Sequence, residues 1–339
     1  MVTNIPLNKI NLASGGSTVK RPFVTTWKTD NVGTSEDNQI TLPFVSGGSY
    51  NCIVDWGDGN SDTITAYDQE EVTHTYSSTG TYTVKINGQC YGFQFNNGGD
   101  RLKLLTIKQW GKDFKLNAGG GHFYGCSNLV ISAKDYLDVG TTTNMAQCFR
   151  ACASLTTNPI KFKDTSNVTT IWACFYGCSN FNGDVSSLDT SSVNSMADVF
   201  GEANKFNQPL NNWDTSEVTS MYAMFYNAYV FNQPLSNWDT SKVTDMRYTF
   251  YGCTAFNQNI ANFNIEAVTQ INNMLSGATS WSTANYDSFL IEIATNQDVT
   301  NSLTFHCSSY YTPGGAAASA RADLISTDLW EINDLGEAA

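Results

Sequence analysis

The sequence predicts a multidomain protein in which a small β-sandwich precedes a repeat solenoid of strands and helices, with an α/β cap at its C-terminal end. Three patterns predict this fold: strand-like segments between glycine turns, a 25-residue repeat, and a final strand–helix–strand pattern. The 339 residues, of which 41% are hydrophobic, suffice for two or three domains with buried cores. The predicted division is an N-terminal arm at 1–22, the sandwich at 23–95, about seven coils at 96–283 and the cap at 284–339.

The N-terminal strands are short, and glycine-containing turns separate them. Three segments alternate or run apolar: Ile40–Phe44, Cys52–Trp56 and Thr81–Ile86. Such spacing is typical of a β-sandwich. Three motifs in the same region resemble the polycystic-kidney-disease (PKD) domain family, namely Val54-Asp-Trp-Gly-Asp-Gly59, His74-Thr-Tyr76 and Gly80-Thr-Tyr-Thr-Val84. This resemblance implies an Ig-like β-sandwich that serves as a spacer or adhesion module.

The acidic residues of this region, Asp55, Asp58 and Asp62, are close enough in sequence to suggest a metal site. Asp58-Gly59 is also a tight-turn dipeptide, and acids in turns accept hydrogen bonds from local backbone N–H groups. We interpret the three acids as turn residues and His74, which has no second histidine nearby, as a packed core or turn residue.

A 25-residue repeat runs through the middle of the chain. Residues 206–221 and 231–246 are near-copies, and a looser copy begins at Phe256. The repeat is marked by valines and by a key apolar residue, which is Phe in all but the last unit. The valines are Val168, Val193, Val218, Val243 and Val268, and the key residues are Phe123, Phe149, Phe175, Phe200, Phe225, Phe250 and Leu275. Seven units therefore lie between about residues 111 and 281.

Each unit is predicted to contain one strand and one helix. Met221, Met224, Phe225 and Ala228 have the i, i+3, i+4, i+7 spacing of one helical face, and Asn207–Trp213 favours a strand with a turn. Neither element can bury its apolar face alone, so the units are expected to stack. Parallel strands about 4.8 Å apart would make seven coils roughly 35 Å long.

The units resemble the BspA-like leucine-rich repeat family of surface proteins. The resemblance is carried by Trp-Asp-Thr-Ser-x-Val-Thr-x-Met and Phe-Asn-Gln-x-Leu, which are clearest in the units that end at Met221 and Met246. It implies cell-surface adhesion and binding of a host protein or glycan. The complete predicted fold is an Ig-like β-sandwich followed by an α/β leucine-rich-repeat-type solenoid with a C-terminal α/β cap, whose elements are strands at Ser302–Cys307 and Trp330–Ile332 and a helix at Ala316–Ser326.

Residues at one position of successive units form a column when the units stack. One column accepts Cys or Ala (Cys126, Cys152, Cys178, Ala203, Ala228, Cys253, Ala278), and the position just before the key residue holds Cys148 and Cys174. We interpret these cysteines as core residues, with a Cys148–Cys174 disulfide or metal binding as alternatives. A column of Asp164, Asp189, Asp214, Asp239 and Asn264 favours local capping bonds, with bridging calcium as the alternative. A column of Asn182, Asn207, Asn232 and Asn257 favours a structural amide ladder.

An aromatic column follows the key residues by one position: Tyr124, Arg150, Tyr176, Gly201, Tyr226, Tyr251 and Ser276. This position should face away from the core. Exposed tyrosines offer flat contact area with a polar tip, which suits sugar rings or a protein partner. The candidate ligand-binding residues are therefore Tyr176, Tyr222, Tyr226, Tyr248 and Tyr251. Packing against a second subunit and incidental exposure are the alternatives.

Composition excludes several classes of partner. The net charge is −13, from 18 Lys and Arg against 31 Asp and Glu, and no basic run is present. Nucleic-acid binding is not expected, because phosphate contacts need basic side chains. The sequence contains no apolar run of 18 residues, so membrane insertion is not predicted. No catalytic motif is found, and the three histidines lie in different regions, so no catalytic residue, metal or cofactor is predicted.

These observations predict a non-enzymatic, surface-exposed adhesion or receptor-binding protein that recognises a host surface protein or glycan through the repeats. Residues 1–22 lack the apolar core of a signal peptide, so the expected location is a virion surface, a cell surface or the secreted fraction. The alternative is a structural virion component, such as a phage decoration, head-fibre or tail-fibre protein, anchored by residues 1–22. A homo-oligomer is a further possibility, and a polysaccharide-acting enzyme is a third hypothesis.

Overall fold

The computed structural model describes residues 21–116, 119–299 and 302–339, and shows a mainly β protein. Eleven strands lie in these residues: β1 Phe23–Lys28, β2 Gln39–Thr41, β3 Phe44–Asp55, β4 Ser61–Ile64, β5 Thr73–Thr75, β6 Thr81–Phe93, β7 Leu104–Gln109, β8 Phe114–Lys115, β9 Val130–Ile131, β10 Thr304–His306 and β11 Glu331–Asn333. The two α-helices of the described residues are α1 (Thr283–Asn296) and α2 (Ala316–Ser326). Neither is long and apolar enough to cross a membrane. Most of the predicted N-terminal arm, residues 1–20, lies outside the described residues.

The N-terminal strands form one seven-stranded mixed sheet. Its order is β4-β3-β6-β1-β7-β9, and β8 pairs with β6. The pairs β6–β8 and β7–β9 are parallel, whereas β1 is antiparallel to both β6 and β7. A second sheet contains only β2 and β5. The predicted Ig-like β-sandwich is therefore wrong: the alternation of apolar residues identified strands, but all of the N-terminal strands except β2 and β5 pair into one mixed sheet that continues through β7 and β9 into the repeats.

The turn acids of this region behave as local hydrogen-bond acceptors. Asp55 accepts from the backbone N–H of Gly57 at 3.0 Å, and Asp58 accepts from that of Asn60 at 3.0 Å. His74 stacks on Trp56 with ring centroids 4.8 Å apart, and its Nε2 lies 2.9 Å from Asp58 Oδ2. The interpretation of Asp55 and Asp58 as turn residues and of His74 as a packed residue is confirmed, whereas Asp62 lies in β4 and accepts from Trp56 Nε1 at 2.8 Å.

The repeats contain no helix. Apart from β9, the described chain from residue 119 to the start of α1 at Thr283 forms turns and short irregular segments, and units from Asn144 onward meet at parallel bridges between Asn144, Thr170, Ser195, Ser220, Asp245 and Gln270. The predicted α/β leucine-rich-repeat-type solenoid, with one strand and one helix per unit, is therefore wrong. The predicted strand at Asn207–Trp213 is also absent.

Hydrogen bonds between units explain why no helix forms. In one unit the N–H groups of residues 221, 223, 225 and 227 donate to carbonyls of the next unit at 2.7–2.9 Å, from Met221 to Asp245 and from Asn227 to Tyr251. The N–H groups of residues 224, 226 and 228 instead close turns to the carbonyl three residues earlier. Ala223 and Asn227 have φ of 52° and 55°, in the left-handed region that interrupts a right-handed helix.

The apolar spacing is nevertheless obeyed. The side chains of Met221, Met224, Phe225 and Ala228 are all fully buried. Turns closed over three residues return a side chain to the core at nearly the same interval as a helix does, so burial periodicity alone does not separate the two. The backbone hydrogen bonds between units decide the conformation.

The core is a stack of aromatic rings. Phe149, Phe175, Phe200, Phe225 and Phe250 lie one above another, with successive ring centroids 5.6–5.8 Å apart. Two polar ladders accompany the stack. Asn207 Oδ1 accepts from the N–H of Asn232 at 2.9 Å, and Thr215 Oγ1 donates to the carbonyl of Asp239 at 2.8 Å. The predicted role of the asparagine column as a structural ladder is confirmed.

All nine cysteines are free and buried. Three thiols of the Cys/Ala column contact backbone carbonyls of the preceding unit, with Cys152 Sγ 3.1 Å from Phe123 O, Cys178 Sγ 2.9 Å from Phe149 O and Cys253 Sγ 2.9 Å from Phe225 O. The interpretation of these cysteines as core residues is confirmed, and the Cys148–Cys174 disulfide is not formed in this structure.

The chain after the repeats continues the same core. Ser282 caps α1 by accepting from the N–H of Asn285, and Tyr286 and Phe289 are buried on the inner side of this helix. A parallel bridge joins Leu275 to Cys307, and β10 pairs with β11 in parallel. The helix predicted over 316–326 coincides with α2, whereas α1 was not predicted.

Candidate functional site

The candidate tyrosines surround one concave cavity of about 460 Å³ on the surface of the repeats. Its lining residues are Tyr176, Asp198, Glu202, Tyr222, Ala223, Tyr226 and Tyr248. Four of the five candidate tyrosines therefore line it. The fifth, Tyr251, stacks on Tyr226 with ring centroids 5.0 Å apart and planes 6° from parallel. All five side chains are half-buried.

The turns of the units place these side chains. Asp198, Glu202 and Tyr248 have φ of 57°, 58° and 58°, which for residues other than glycine is unfavourable unless surrounding contacts impose it. Contacts between units do so here: Asp198 N–H donates to Tyr222 O at 2.8 Å, and Glu202 N–H donates to Tyr226 O at 2.6 Å. The same bonds that stack the units therefore hold the lining of the cavity in place.

One wall of the cavity is a cluster of tyrosine rings around Tyr248. Its ring contacts those of Tyr222, Tyr226 and Tyr251 edge to face, with centroids 5.9, 6.4 and 5.8 Å away. Arg247 lies with its guanidinium carbon 5.1 Å from the centre of the Tyr222 ring and forms an ion pair with Asp245 at 2.7 Å. These contacts restrict the rings before any ligand arrives.

Two carboxylates stand on the other side of the cavity. Burial raises the pKa of Asp198, and the opposing effects of the hydrogen bond from Trp172 Nε1 at 3.3 Å and of the charge of Arg150 do not cancel the rise. Glu202 Oε1 accepts from Asn227 Nδ2 at 3.1 Å. Burial also raises the pKa of the Tyr176 hydroxyl, and the charges of Glu202 and Asp198 add to the rise.

Sequence reasoning missed Asp198 and Glu202. They lie two residues before and two residues after the key Phe200, at positions that elsewhere in the array hold uncharged residues. These are Gly121, Gln147, Ala173, Ala223, Tyr248 and Asn273 before the key residue, and Gly125, Ala151, Gly177, Asn227, Gly252 and Gly277 after it. One unit with charge at both positions was a signal available in the sequence.

The aspartate column lies away from this cavity and makes local turns. Asp164, Asp189, Asp214 and Asp239 each accept from the N–H two residues later at 2.9–3.2 Å, and Asn264 does the same. The backbone hydrogen bond from Ser216 lowers the pKa of Asp214, and the side-chain and backbone hydrogen bonds from Ser241 lower that of Asp239. The predicted local role is confirmed. Among the described residues, no group of three or more His, Cys, Asp or Glu is arranged to hold a metal ion.

Comparison with known proteins finds one family model that is similar to part of the repeats. The family model described as "Mycoplasma protein of unknown function, DUF285" matches residues 143–241 and, in a second overlapping stretch, residues 226–305. The two stretches contain the whole tyrosine cavity. The match identifies neither a leucine-rich repeat nor a PKD-like domain. No curated protein and no solved structure matches the chain.

Proposed function

We propose that this chain is a non-enzymatic, surface-exposed adhesion or receptor-binding protein that holds a protein or glycan ligand in the tyrosine cavity of its repeats. The observation that carries the proposal is the cavity itself, about 460 Å³ in volume and lined by Tyr176, Tyr222, Tyr226 and Tyr248. Concave sites of this size with aromatic walls and a few polar groups are the usual form of a ligand site.

The arrangement of the rings supports binding. Tyrosine supplies a large apolar face and a polar hydroxyl with only two side-chain torsions to restrict, so contact costs little conformational entropy. The stacked pair Tyr226 and Tyr251 and the edge-to-face ring of Tyr248 are already ordered by one another. A preformed site of this kind avoids much of the ordering cost of association.

The family match supports a surface role in part. The repeats match a family of unknown function, and the motif Trp-Asp-Thr-Ser-x-Val-Thr-x-Met resembles BspA-like surface proteins, which adhere to host proteins or glycans. We propose the same surface role for this chain. The N-terminal region, which carries the PKD-like motifs around Trp56 and His74, would then serve as a spacer. The virion alternative draws on residues 1–22, most of which lie outside the described residues, whereas the binding role draws on the cavity.

The test is a binding screen of the purified chain against glycan arrays and whole cells. A Tyr226→Ala/Tyr251→Ala variant removes the stacked pair. The matched control is Tyr229→Ala, because Tyr229 is 43% exposed and does not line the cavity. We expect the double variant to lose binding at least tenfold, since buried aromatic anchors dominate interface energy, and the control to bind normally. Unchanged binding by the double variant, or no binding by a folded native chain, would overturn the proposal.

A further inference from the structure

We propose that the cavity beside Gly201 receives the basic side chain of an arginine or lysine from a partner protein. The inference rests on the proposed function and names the chemistry of its ligand. The inference is based on a comparison between two units of the array. Arg150 in one unit and Gly201 in the other occupy the same column.

The Arg150 unit shows a guanidinium held between tyrosine rings. Its guanidinium carbon lies 5.3 Å from the centre of the Tyr124 ring, which belongs to the preceding unit, and 4.7 Å from the centre of the Tyr176 ring, which belongs to the following one. Both distances are within the range of cation–π attraction, which is about 6 Å. The column spacing of this array therefore accommodates one flat cation between two tyrosines.

The Gly201 unit repeats this arrangement without the cation. Gly201 follows Phe200 in the column and has Tyr176 in the preceding unit and Tyr226 in the following one. The Tyr176 ring leans over the glycine, because a Cβ built on Gly201 would stand 2.8 Å from Tyr176 Cδ2. Gly201 itself therefore contributes no side chain between these two tyrosines, both of which line the cavity.

The charges of the two units are complementary. The Arg150 unit has the neutral residues Gln147 and Ala151 at the two flanking positions, whereas the Gly201 unit has Asp198 and Glu202 there, and both carboxylates line the cavity. The unit that supplies a cation has no flanking acid, and the unit that has two flanking acids has a glycine in place of the cation. Tyrosine faces with carboxylates beside them are the chemistry that binds guanidinium and ammonium groups.

The burial of Asp198 points the same way. A half-buried carboxylate is destabilised unless a positive charge compensates it. The charge of Arg150 lowers the pKa of Asp198 but is outweighed by burial, so the net shift is upward. A cation in the cavity would supply the missing compensation.

The source of the cation is inferred from the surrounding charge. Residues 164–299 carry thirteen Asp and Glu against three Lys and Arg. Such a surface attracts a basic protein segment and orients it during encounter. We therefore assign the cation to a protein partner. A choline headgroup and a neutral glycan are the two alternative ligands that the experiment distinguishes from it.

The experiment uses the full chain labelled with ¹³C in its tyrosine rings and observed by NMR. The probes are Nα-acetyl-arginine amide, Nα-acetyl-lysine amide and Nα-acetyl-citrulline amide, the last being a neutral analogue of arginine with the same shape. We expect the two cations to shift the ring signals of Tyr176 and Tyr226, and citrulline to bind at least tenfold more weakly. Equal binding of citrulline would overturn the inference, as would tighter binding of phosphocholine or of an uncharged oligosaccharide.

Three variants and one control locate the effect. Asp198→Asn and Glu202→Gln are each expected to weaken the arginine probe about tenfold, because a charged hydrogen bond or ion contact is lost. Gly201→Arg should abolish probe binding, because the new side chain would displace the Tyr176 ring and bring its own cation to the cavity. Glu217→Gln is the control of equal charge change, since Glu217 pairs with Lys242 on the surface and does not line the cavity. Its probe affinity should not change.

The outcomes separate this inference from the proposed function. Suppose that Tyr226→Ala/Tyr251→Ala loses a ligand found in the cell or glycan screen and that Asp198→Asn/Glu202→Gln still binds it. This result would overturn the inference that the ligand is a cation, but not the proposed binding function. Loss in both variants supports the inference. The comparison of arginine with citrulline uses the native chain, so it decides the question even if a variant fails to fold.

Discussion

The phenol ring of Tyr226 lies 5.0 Å from that of Tyr251, and the two planes are 6° from parallel. Directly before them in the chain, the rings of Phe225 and Phe250 stack inside the core at 5.6 Å and 4°. The surface pair therefore repeats the geometry of the buried pair. Because the core stack sets the separation of the units, the spacing of the tyrosine face follows from packing rather than from any ligand.

For a glycine-to-alanine change in the repeats, the turn conformation predicts a change in the free energy of unfolding opposite in sign to the change expected in a helix. Gly177 has φ of 71°, and a Cβ added there would meet its nearest neighbour at 3.7 Å, an ordinary contact. Gly177→Ala should therefore destabilise the protein by about 1–2 kcal/mol, the cost of left-handed backbone, measured by urea unfolding. In a helix the same change would stabilise by about 1 kcal/mol. Ala151→Gly, at φ 58° in the preceding unit, is expected to change stability in the opposite direction.

The asparagine ladder should contribute to stability at each step. Asn207→Ala leaves the N–H of Asn232 and the amide of Gln233 without the acceptor that now lies 2.9 and 3.0 Å away. The expected loss is about 1–3 kcal/mol in the free energy of unfolding, because partly buried donors are left unpaired. Asn212→Ala removes an exposed amide with a 3.4 Å contact and is the control. An equal loss in both variants would show that the ladder has no special role.

The buried thiols predict a loss of stability in alkali. Burial raises the pKa of Cys52 from 9.0 to about 11 and that of Cys307 to about 12. The unfolded thiols ionise first as the pH rises through 9, so the contribution is complete below pH 9 and is lost above it. Under reducing conditions, urea midpoints should fall between pH 8.5 and about 10.5. Cys253→Ala introduces the residue that Ala228 provides in the same column, and it should make the urea midpoint depend less steeply on pH. A pH dependence that does not change with the number of thiols would contradict the prediction.

Cation binding at the cavity should weaken as the pH falls. The pKa of Asp198 is raised by burial, so this carboxylate takes up a proton at a higher pH than an ordinary aspartate does. Arg150 is the charged group that acts on Asp198, and Asp198 and Glu202 both act on the hydroxyl of Tyr176. Affinity for the arginine probe, followed by NMR, should decrease on acidification from a pH above 3.8, the usual pKa of Asp. In Asp198→Asn the remaining dependence should begin at lower pH, and an unchanged profile would exclude Asp198 from the site.

Much of the repeat array could be predicted because burial leaves a periodic trace in a sequence. The key residues from Phe149 to Phe250, the Cys/Ala column and the asparagine ladder were all recognised from their 25-residue recurrence. The set of five tyrosines that the structure brings together around one cavity was found in the same way. Its role in binding stays a prediction.

The errors have a common physical cause. The spacing of Met221, Met224, Phe225 and Ala228 reports which side chains are buried, and a helix and a row of turns bury the same ones. In the N-terminal region, alternation identified β3 and β6 but could not tell that β7 and β9 extend the same sheet. Strand pairing is a long-range choice that no local pattern records.

The amino-acid sequence by itself determined the length of the unit, the identity of the core columns, the helix from Ala316 to Ser326 and the tyrosines of one surface. Only the tertiary structure decided the conformation inside each unit, because alternate N–H groups around the key residue donate to the next unit, 24 or 25 residues further along the chain. It also brought Asp198 and Glu202 to one cavity with Tyr226, since their proximity arises from stacking and not from sequence distance.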